Sequence, residues 1–403
     1  MTDEDIWRLN RGGHDPHKVY AAYAQAAAHQ GQPTVILAKT VKGYGMGESG
    51  EGQNITHSQK KMADESLLEF RDRFRIPLDD EAVLACEYYH PGDDSPEVRY
   101  LKERRDALGG SLPIRIDAAP THATPDLSLF QSQLEGSGDR EISTTMAFVR
   151  LLTALTRDKS LGPHVVPIVP DESRTFGMEG MFRQLGIYAP KGQLYIPEDA
   201  DQLMYYREDI KGQVLQEGIT EAGAMSSWIA AATAYSNHGI AMIPFYIFYS
   251  MFGLQRIGDL AWAAGDQQAR GFLIGGTAGR TTLAGEGLQH QDGHSLLMAA
   301  SIPNCVSYDP TFNYELAVII HDGIRRMYTD QENVFYYVTV MNENYPHPPM
   351  PENAREGILQ GMYRLRQAPK GRKAVPRVQL FGSGTILRES MAAAEMLEQD
   401  FGV

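Results

Sequence analysis

The chain has 403 residues, 42% hydrophobic and 22% charged, the usage of an ordinary globular protein; this excludes wholesale disorder and leaves room for two or three domains. Its formal net charge of −14 argues against nucleic acid or an anionic membrane surface as the main partner. Two cysteines, Cys86 and Cys305, exclude a disulfide framework, and the opening MTDEDIWRLNRGG lacks the apolar run of a secretory signal, so a cytoplasmic protein is expected.

In chain order, HKVYAAYAQAAAHQ (17–30) predicts a helix by its alanine content, and TVILAKTV (34–41) a strand. Residues 43–61, GYGMGESGEGQNITHSQKK, form a loop with five glycines in its first ten positions. Its Gly45-x-Gly47-x-x-Gly50 only superficially fits a dinucleotide fingerprint, because the following residues are too polar to open a sheet-packed helix. A mobile lid over an active site is the better reading. Charged helical stretches follow at 60–74 and 96–108. The proline-containing stretch 108–139 has little periodicity and reads as an interdomain linker. A helix over STTMAFVRLLTALTRD then opens a second region. There, VVPIVPD (165–171), IAMIPFYIF (240–248), GFLIGG (271–276), NCVSYDP (304–310) and NVFYYVTVM (333–341) predict strands separated by helices. That alternation predicts an α/β fold with a mostly parallel sheet buried on both faces. After YPHPPMPENA (345–354), VQLFGSG (378–384) and TILRESMAAAEMLEQDF (385–401) predict one strand and one helix. A single such unit cannot close a domain, so a third domain cut short is expected.

The stretch from Glu221 to Arg256 holds 34 intervening residues without one Asp, Glu, Lys or Arg. Ser, Thr, Asn, His, Gly and Pro interrupt it too often for a membrane span, so it predicts a helix and a strand deep in a soluble core, with Glu221 at the helix start. Glu221 either caps the helix behind Thr220, wetted by solvent, or is buried. A buried carboxyl has its pKa raised and suits acid–base chemistry. Tyr249 and Phe252 are three apart, where strand ends carry ligands in open α/β sheets; core packing is the bland alternative, a flat heterocycle stacked there the sharper one. GEGLQHQDGHS (285–295) raises a metal site through His290 and His294, but the glycines disfavour the helix that would aim both at one ion. No metal ligands are assigned, and His294 reads as a structural partner.

RGGHDPHKVYAAY, TVKGYGMGESGEGQNITHSQKKM, DESRTFGMEGMFRQLGIY, LQEGITEAGAMSSW, the run FYIFYSMFGLQR through AGEGLQHQDGHS, and IPNCVSYDP together resemble the homodimeric type of pyruvate dehydrogenase (acetyl-transferring). That family is the thiamine-diphosphate component of the pyruvate dehydrogenase complex. The resemblance implies a thiamine-diphosphate-binding, transketolase-like fold with mostly parallel sheets and helices on both faces. Residues 1–107 are expected to be the end of the diphosphate-binding domain, with active-site loop 43–61. A linker at 108–140, a pyrimidine-binding domain at 141–344 and the start of a truncated C-terminal α/β domain at 345–403 follow. The implied activity is oxidative decarboxylation of pyruvate, with reductive acetylation of the lipoyl domain of dihydrolipoamide acetyltransferase, feeding acetyl-CoA formation in a homodimer.

Residue by residue, the resemblance gives Glu221 the hydrogen bond to the aminopyrimidine ring nitrogen and Tyr249 and Phe252 the packing against that ring. Glu172 matches an active-channel carboxylate and Asp171 lines the same pocket, with helix N-capping as the alternative for both. His290 matches the active-channel histidine that bonds substrate, which makes 285–295 a proton-handling loop. Lys42 and His57 match the active-centre loop, His57 serving acetyl transfer. The family's Gly-Asp-Gly element and downstream Asn for diphosphate and Mg²⁺ have no counterpart before Lys42. The GDD at 92–94, GDL at 258–260 and GDQ at 265–267 lack the setting. Diphosphate and Mg²⁺ ligands are therefore expected in a segment upstream, and the chain is expected to be an internal portion of the enzyme. The alternative is a non-catalytic fragment that folds or dimerises but needs the missing half for activity.

Overall fold

Asp15 accepts hydrogen bonds from the His17 and Lys18 amides at 3.0 and 3.2 Å, and Pro16 fixes the first turn, so helix α1 runs Pro16–Ala28. The structure is a computed structural model that describes residues 2–7, 12–111, 120–170, 173–202, 206–279, 287–367 and 376–403. Two compact units divide between Ile114 and Arg115, inside the stretch expected as a linker.

In the first unit, the charged stretches form α2 (Asp64–Phe74) and α3 (Pro96–Ala107). The expected strand at 34–41 is absent. Those residues have no ladder partner, and Val35 and Leu37 are 81% and 92% exposed. A β-branched run becomes a strand only where a neighbouring strand pairs its amides and carbonyls in a ladder; among the described residues this run has only isolated bonds, the Gly13 amide donating to the Lys39 carbonyl at 3.2 Å and the Val41 amide to His14 Nε2 at 2.7 Å. Loop 43–61 holds two short 3₁₀ turns, Gly47–Ser49 and Asn54–His57. Gly45, at φ 93°, lies where a Cβ would come within 2.5 Å of the Phe74 ring, so only glycine lets the loop close on α2. Tyr44 stacks on His14 at 3.9 Å, with the Arg73 guanidinium 5.0 Å from its ring centre. Glu51 pairs with Arg73 at 2.6 Å, which holds its carboxyl below the usual carboxylate range.

The second unit is built on a six-stranded, all-parallel sheet: β1 (Val165–Val169), β2 (Leu215–Gln216), β3 (Ile243–Tyr249), β4 (Phe272–Gly276), β5 (Cys305–Tyr308) and β6 (Phe335–Thr339), in the order β2-β1-β3-β4-β6-β5. All five strands expected between residues 165 and 341 are present; the two-residue β2 was too short to show. Alternate residues feed opposite faces. Phe245, Ile247, Phe272 and Ile274 face a core closed by α4 (Thr144–Arg157) and by Asn313–Ile324. Tyr246, Phe248 and Leu273 face a second core, closed by α5 (Glu221–Ala232) and α6 (Gly253–Asp266). The helix Asn313–Ile324, α7, buries all twelve of its residues.

Residues 120–134 do not span freely. Phe130 is 1% exposed in the core, and the His122 ring bonds the Ala241 carbonyl at 2.7 Å. Residues 345–403, expected to begin a separate domain, belong to the same compact unit. Ile358 is buried, and the Tyr363 hydroxyl donates to Glu315 at 2.6 Å. The strand expected at 378–384 is not formed: Val378 and Phe381 are 56% and 70% exposed, unpaired for the same reason as 34–41, and α8 begins at Gly384 and ends at Phe401. Among the described residues, no helix is long and apolar enough to cross a membrane.

Candidate active site

The chain leaves β1 towards β2 on one side, while β3 pairs on the other, so the sheet has a switch point at the C-terminal ends of β1 and β3. Open α/β sheets bind ligands in the crevice such a reversal leaves. Glu221, Tyr249, Phe252 and His290 all come to this end of the second unit.

Thr220 caps α5, its hydroxyl accepting from the Gly223 amide at 3.2 Å, and Glu221 follows in the first turn. The Glu221 side chain is 16% exposed, sheltered but not fully buried. It is not isolated either: Arg256 donates to its Oε1 at 2.5 Å. The charge-free run misleads here because β3 and the first turn of α6 carry its far end straight back to its near end. Gly253 makes that return possible. A Cβ there would lie 1.9 Å from the Phe248 ring, so no other residue fits between strand and helix. Phe252 and Arg256, four apart, then share a face, with the guanidinium carbon 4.5 Å from the Phe252 ring centre.

Tyr249 ends β3 and meets Phe252 edge-on at 5.9 Å. His290 closes a short 3₁₀ turn, Leu288–His290, with its ring 4.7 Å from Tyr249 and 5.2 Å from Phe252. His294 lies instead at the start of the helix Ser295–Ala299, so the two histidines sit on different elements. Asp292, which sequence reasoning gave no role, anchors this loop. Only 3% exposed, it accepts from the His294 and Ser295 amides at 3.1 and 3.0 Å and from the Ser295 hydroxyl at 2.5 Å. Burial opposes its charge, but these bonds outweigh burial and hold its carboxyl below the usual range. The Asp-x-x-Ser spacing was the signal that could have found it.

Asp171, Glu172 and the Glu286 end of the loop lie outside the described residues. A cavity of about 370 Å³ is lined by Ser173, Arg174, Phe182, Tyr206 and Gln216 among others. The Ser173 hydroxyl is buried there without a hydrogen-bond partner. Lys42 and His57 belong to the first unit: both are exposed, Lys42 at the start of the glycine loop and His57 at the end of its second 3₁₀ turn. Among the described residues, no group of three His, Cys, Asp or Glu is placed to hold a metal ion.

The arrangement fits a flat heterocycle with a hydrogen-bonding edge. A planar donor, the Arg256 guanidinium, already spans the two anchors such a ring needs, an aromatic face at Phe252 and a sheltered carboxylate at Glu221.

A transketolase from Leishmania mexicana superposes with a TM-score of 0.59 over 97% of this chain and 53% of its own, at 18% identity. One from Pichia stipitis gives 0.56 over 90% and 50%, at 14% identity. At such identities the likeness concerns the fold alone, which is α/β and transketolase-like, a mostly parallel sheet with helices on both faces. A pyruvate dehydrogenase E1 component of Pseudomonas aeruginosa is 64% identical over 403 residues, and that of Escherichia coli K12 56% over 404. In both cases all of this chain matches, and it spans 45% of the relative's length. The family described as "Pyruvate dehydrogenase E1 component middle domain" matches residues 123–348. More than half the chain carries that match, and the chain belongs to the pyruvate dehydrogenase E1 component family.

Proposed function

We propose that this chain supplies the pyrimidine-binding part, over 141–344, of a thiamine-diphosphate-dependent centre that decarboxylates pyruvate and passes the acetyl group to a lipoyl domain of dihydrolipoamide acetyltransferase. The observation that carries the reading is the convergence of Glu221, Phe252, Tyr249 and His290 at the sheet's switch point, in a chain of this family. Thiamine diphosphate, when bound with Mg²⁺, supplies the acidic carbon and the electron sink that cleavage beside a 2-oxo group requires. Its diphosphate and Mg²⁺ ligands are assigned to sequence outside this chain.

Each residue then has a separate task. Glu221 holds the edge nitrogen of the aminopyrimidine and fixes its tautomer, while Phe252 and Tyr249 support the ring face. His290, steadied by Asp292, bonds the substrate and handles a proton; Glu172 and Asp171 line the channel. Loop 43–61 acts as a lid that excludes water, with Lys42 at its base and His57 giving the proton needed when the acetyl group leaves for the lipoyl sulfur. A homodimer in the cytoplasm is the expected setting. Calorimetric titration with thiamine diphosphate and Mg²⁺ tests the reading. Heat with the unaltered chain and none with Glu221→Ala is the expected result; equal heats for both would remove Glu221 from the site. Where turnover is measured, His57→Ala should spare CO₂ release and slow lipoyl acetylation.

A further inference from the structure

Residues 120–124 lie near the start of the second unit, and His122 is the one buried side chain among them. Its Nε2 donates to the Ala241 carbonyl, just ahead of β3, at 2.7 Å. Its ring centre lies 4.4 Å from that of His164, which ends the 3₁₀ turn Gly162–His164 leading into β1. Further bonds tie the stretch to the turn after α7. The His122 amide donates to the Tyr328 carbonyl at 3.0 Å, the Thr329 hydroxyl to the His122 carbonyl at 2.7 Å, and Thr124 and Thr329 share a bond of 2.7 Å. At Pro125 the anchorage changes: His321 donates to that carbonyl at 2.9 Å, and Asp126 caps the next turn.

The two imidazoles suit one another only while no more than one is charged, because two positive rings this close repel strongly where water is scarce. The Ala241 carbonyl favours the charged form of His164. Burial and the neighbouring His122 outweigh it and hold that ring below the ordinary histidine value. Charged groups on the surrounding elements are engaged elsewhere: Arg325 and Arg326 with Asp322, Asp330 and Glu332, Asp158 with the Ser160 and Leu161 amides, Arg270 on the Tyr235 ring. Lys159 and His238 are exposed, and Asp126 acts on His321.

We propose that His122 and His164 make residues 120–124 an acid-released strap, closed while the ring pair carries at most one proton and freed from Pro125 backwards when it takes the second. The core behind stays closed, since Pro125 keeps its bond to His321 and Phe130 its place in the core. Opening parts the rings and admits one further proton, so the open fraction rises by up to about tenfold per pH unit once the pH is below about 6.5.

Hydrogen–deuterium exchange of the full chain, corrected for the intrinsic pH dependence of exchange, reads the strap through peptides spanning 120–124. Their protection should fall about tenfold between pH 7.5 and 5.5, well beyond any fall in peptides from β3 and β4. His164→Phe keeps a ring against His122 without a charge, and its strap should lose less than about twofold over the same range. Unchanged protection in the original, an equal fall in His164→Phe, or a fall shared equally by β3 and β4 would each overturn the strap. A second readout needs no variant: NMR titration of the imidazoles in the unaltered chain. His122 and His164 should take their protons in two separate steps, the second coinciding with the loss of protection at 120–124. Both rings charging while those residues stay protected would overturn it equally.

Discussion

Asp292→Ala should destabilise the second unit by about 2–4 kcal/mol. Among the described residues the carboxylate accepts hydrogen bonds from two amides and from the Ser295 hydroxyl, in a position only 3% exposed. Hydrogen bonds to charged groups contribute roughly 1.5–3 kcal/mol each, and loss of a helix-start acceptor costs about 0.5–2 kcal/mol. The three bonds are not additive, since the loop relaxes and water reaches part of the gap, which brings the sum down to the stated range. Asp292→Asn keeps an oxygen for the amides but turns an NH₂ towards the Ser295 hydroxyl, so about half that loss is expected. Urea unfolding followed by tryptophan fluorescence reads it, because Trp228 is fully buried and bonds the Phe272 carbonyl at 3.1 Å. The pH dependence has a definite sign. A carboxyl whose folded pKa is lowered adds stability above its unfolded value, near 3.9, and loses it as pH falls through the folded value. The gap between Asp292→Ala and the original should therefore be full at pH 7 and close in strong acid. A loss under about 0.5 kcal/mol at pH 7, no more than an ordinary surface substitution, would refute the anchoring role.

Burial lowers the pKa of His164, His321 and His347. Charging less readily folded than unfolded, where they titrate near pH 6.5, they should contribute a level share of stability above pH 7 that falls as pH drops below 6.5, by at most about 1.4 kcal/mol per unit for each. Glu315, raised by burial, has the opposite sign and acts above pH 4.5. Thermal melts at pH 7.5, 6.5 and 5.5 on Glu315→Gln, which removes the opposing group, check the histidines, and a level melting temperature across them in that variant would refute their contribution. Burial pushes the Cys305 thiol up to about 12, whereas Cys86 is exposed. One thiol should react quickly with a disulfide reagent at pH 8 and the second far more slowly, faster in denaturant; two equally fast thiols would contradict the sheltered environment of the Cys305 thiol.

The core of the second unit was legible because its strands are short apolar runs and α4 has clear helical spacing. Glu221, Tyr249, Phe252 and His290 stood out as candidates from residue patterning, but the roles proposed for them came only from their surrounding strings. TVILAKTV and VQLFGSG misled for one shared reason. Their composition suits a strand, but pairing is a property of two segments, and neither finds its second here. The Glu221–Arg256 contact joins residues 35 apart through a strand and a tight glycine turn, so counting charges along the chain did not reveal the carboxylate's partner. Asp292 was hidden differently, as an acidic residue in a polar loop whose burial depends on amides behind it.

Helix α7 has no outside. Its polar residues are tethers: Glu315 ties it to Tyr363, His321 to the Pro125 carbonyl, and Asp322 to Tyr336 on β6. The beginning, the end and the sheet of the second unit are thus threaded onto one rod. None can come loose without exposing that rod, so these segments form a single cooperative unit that opens all at once.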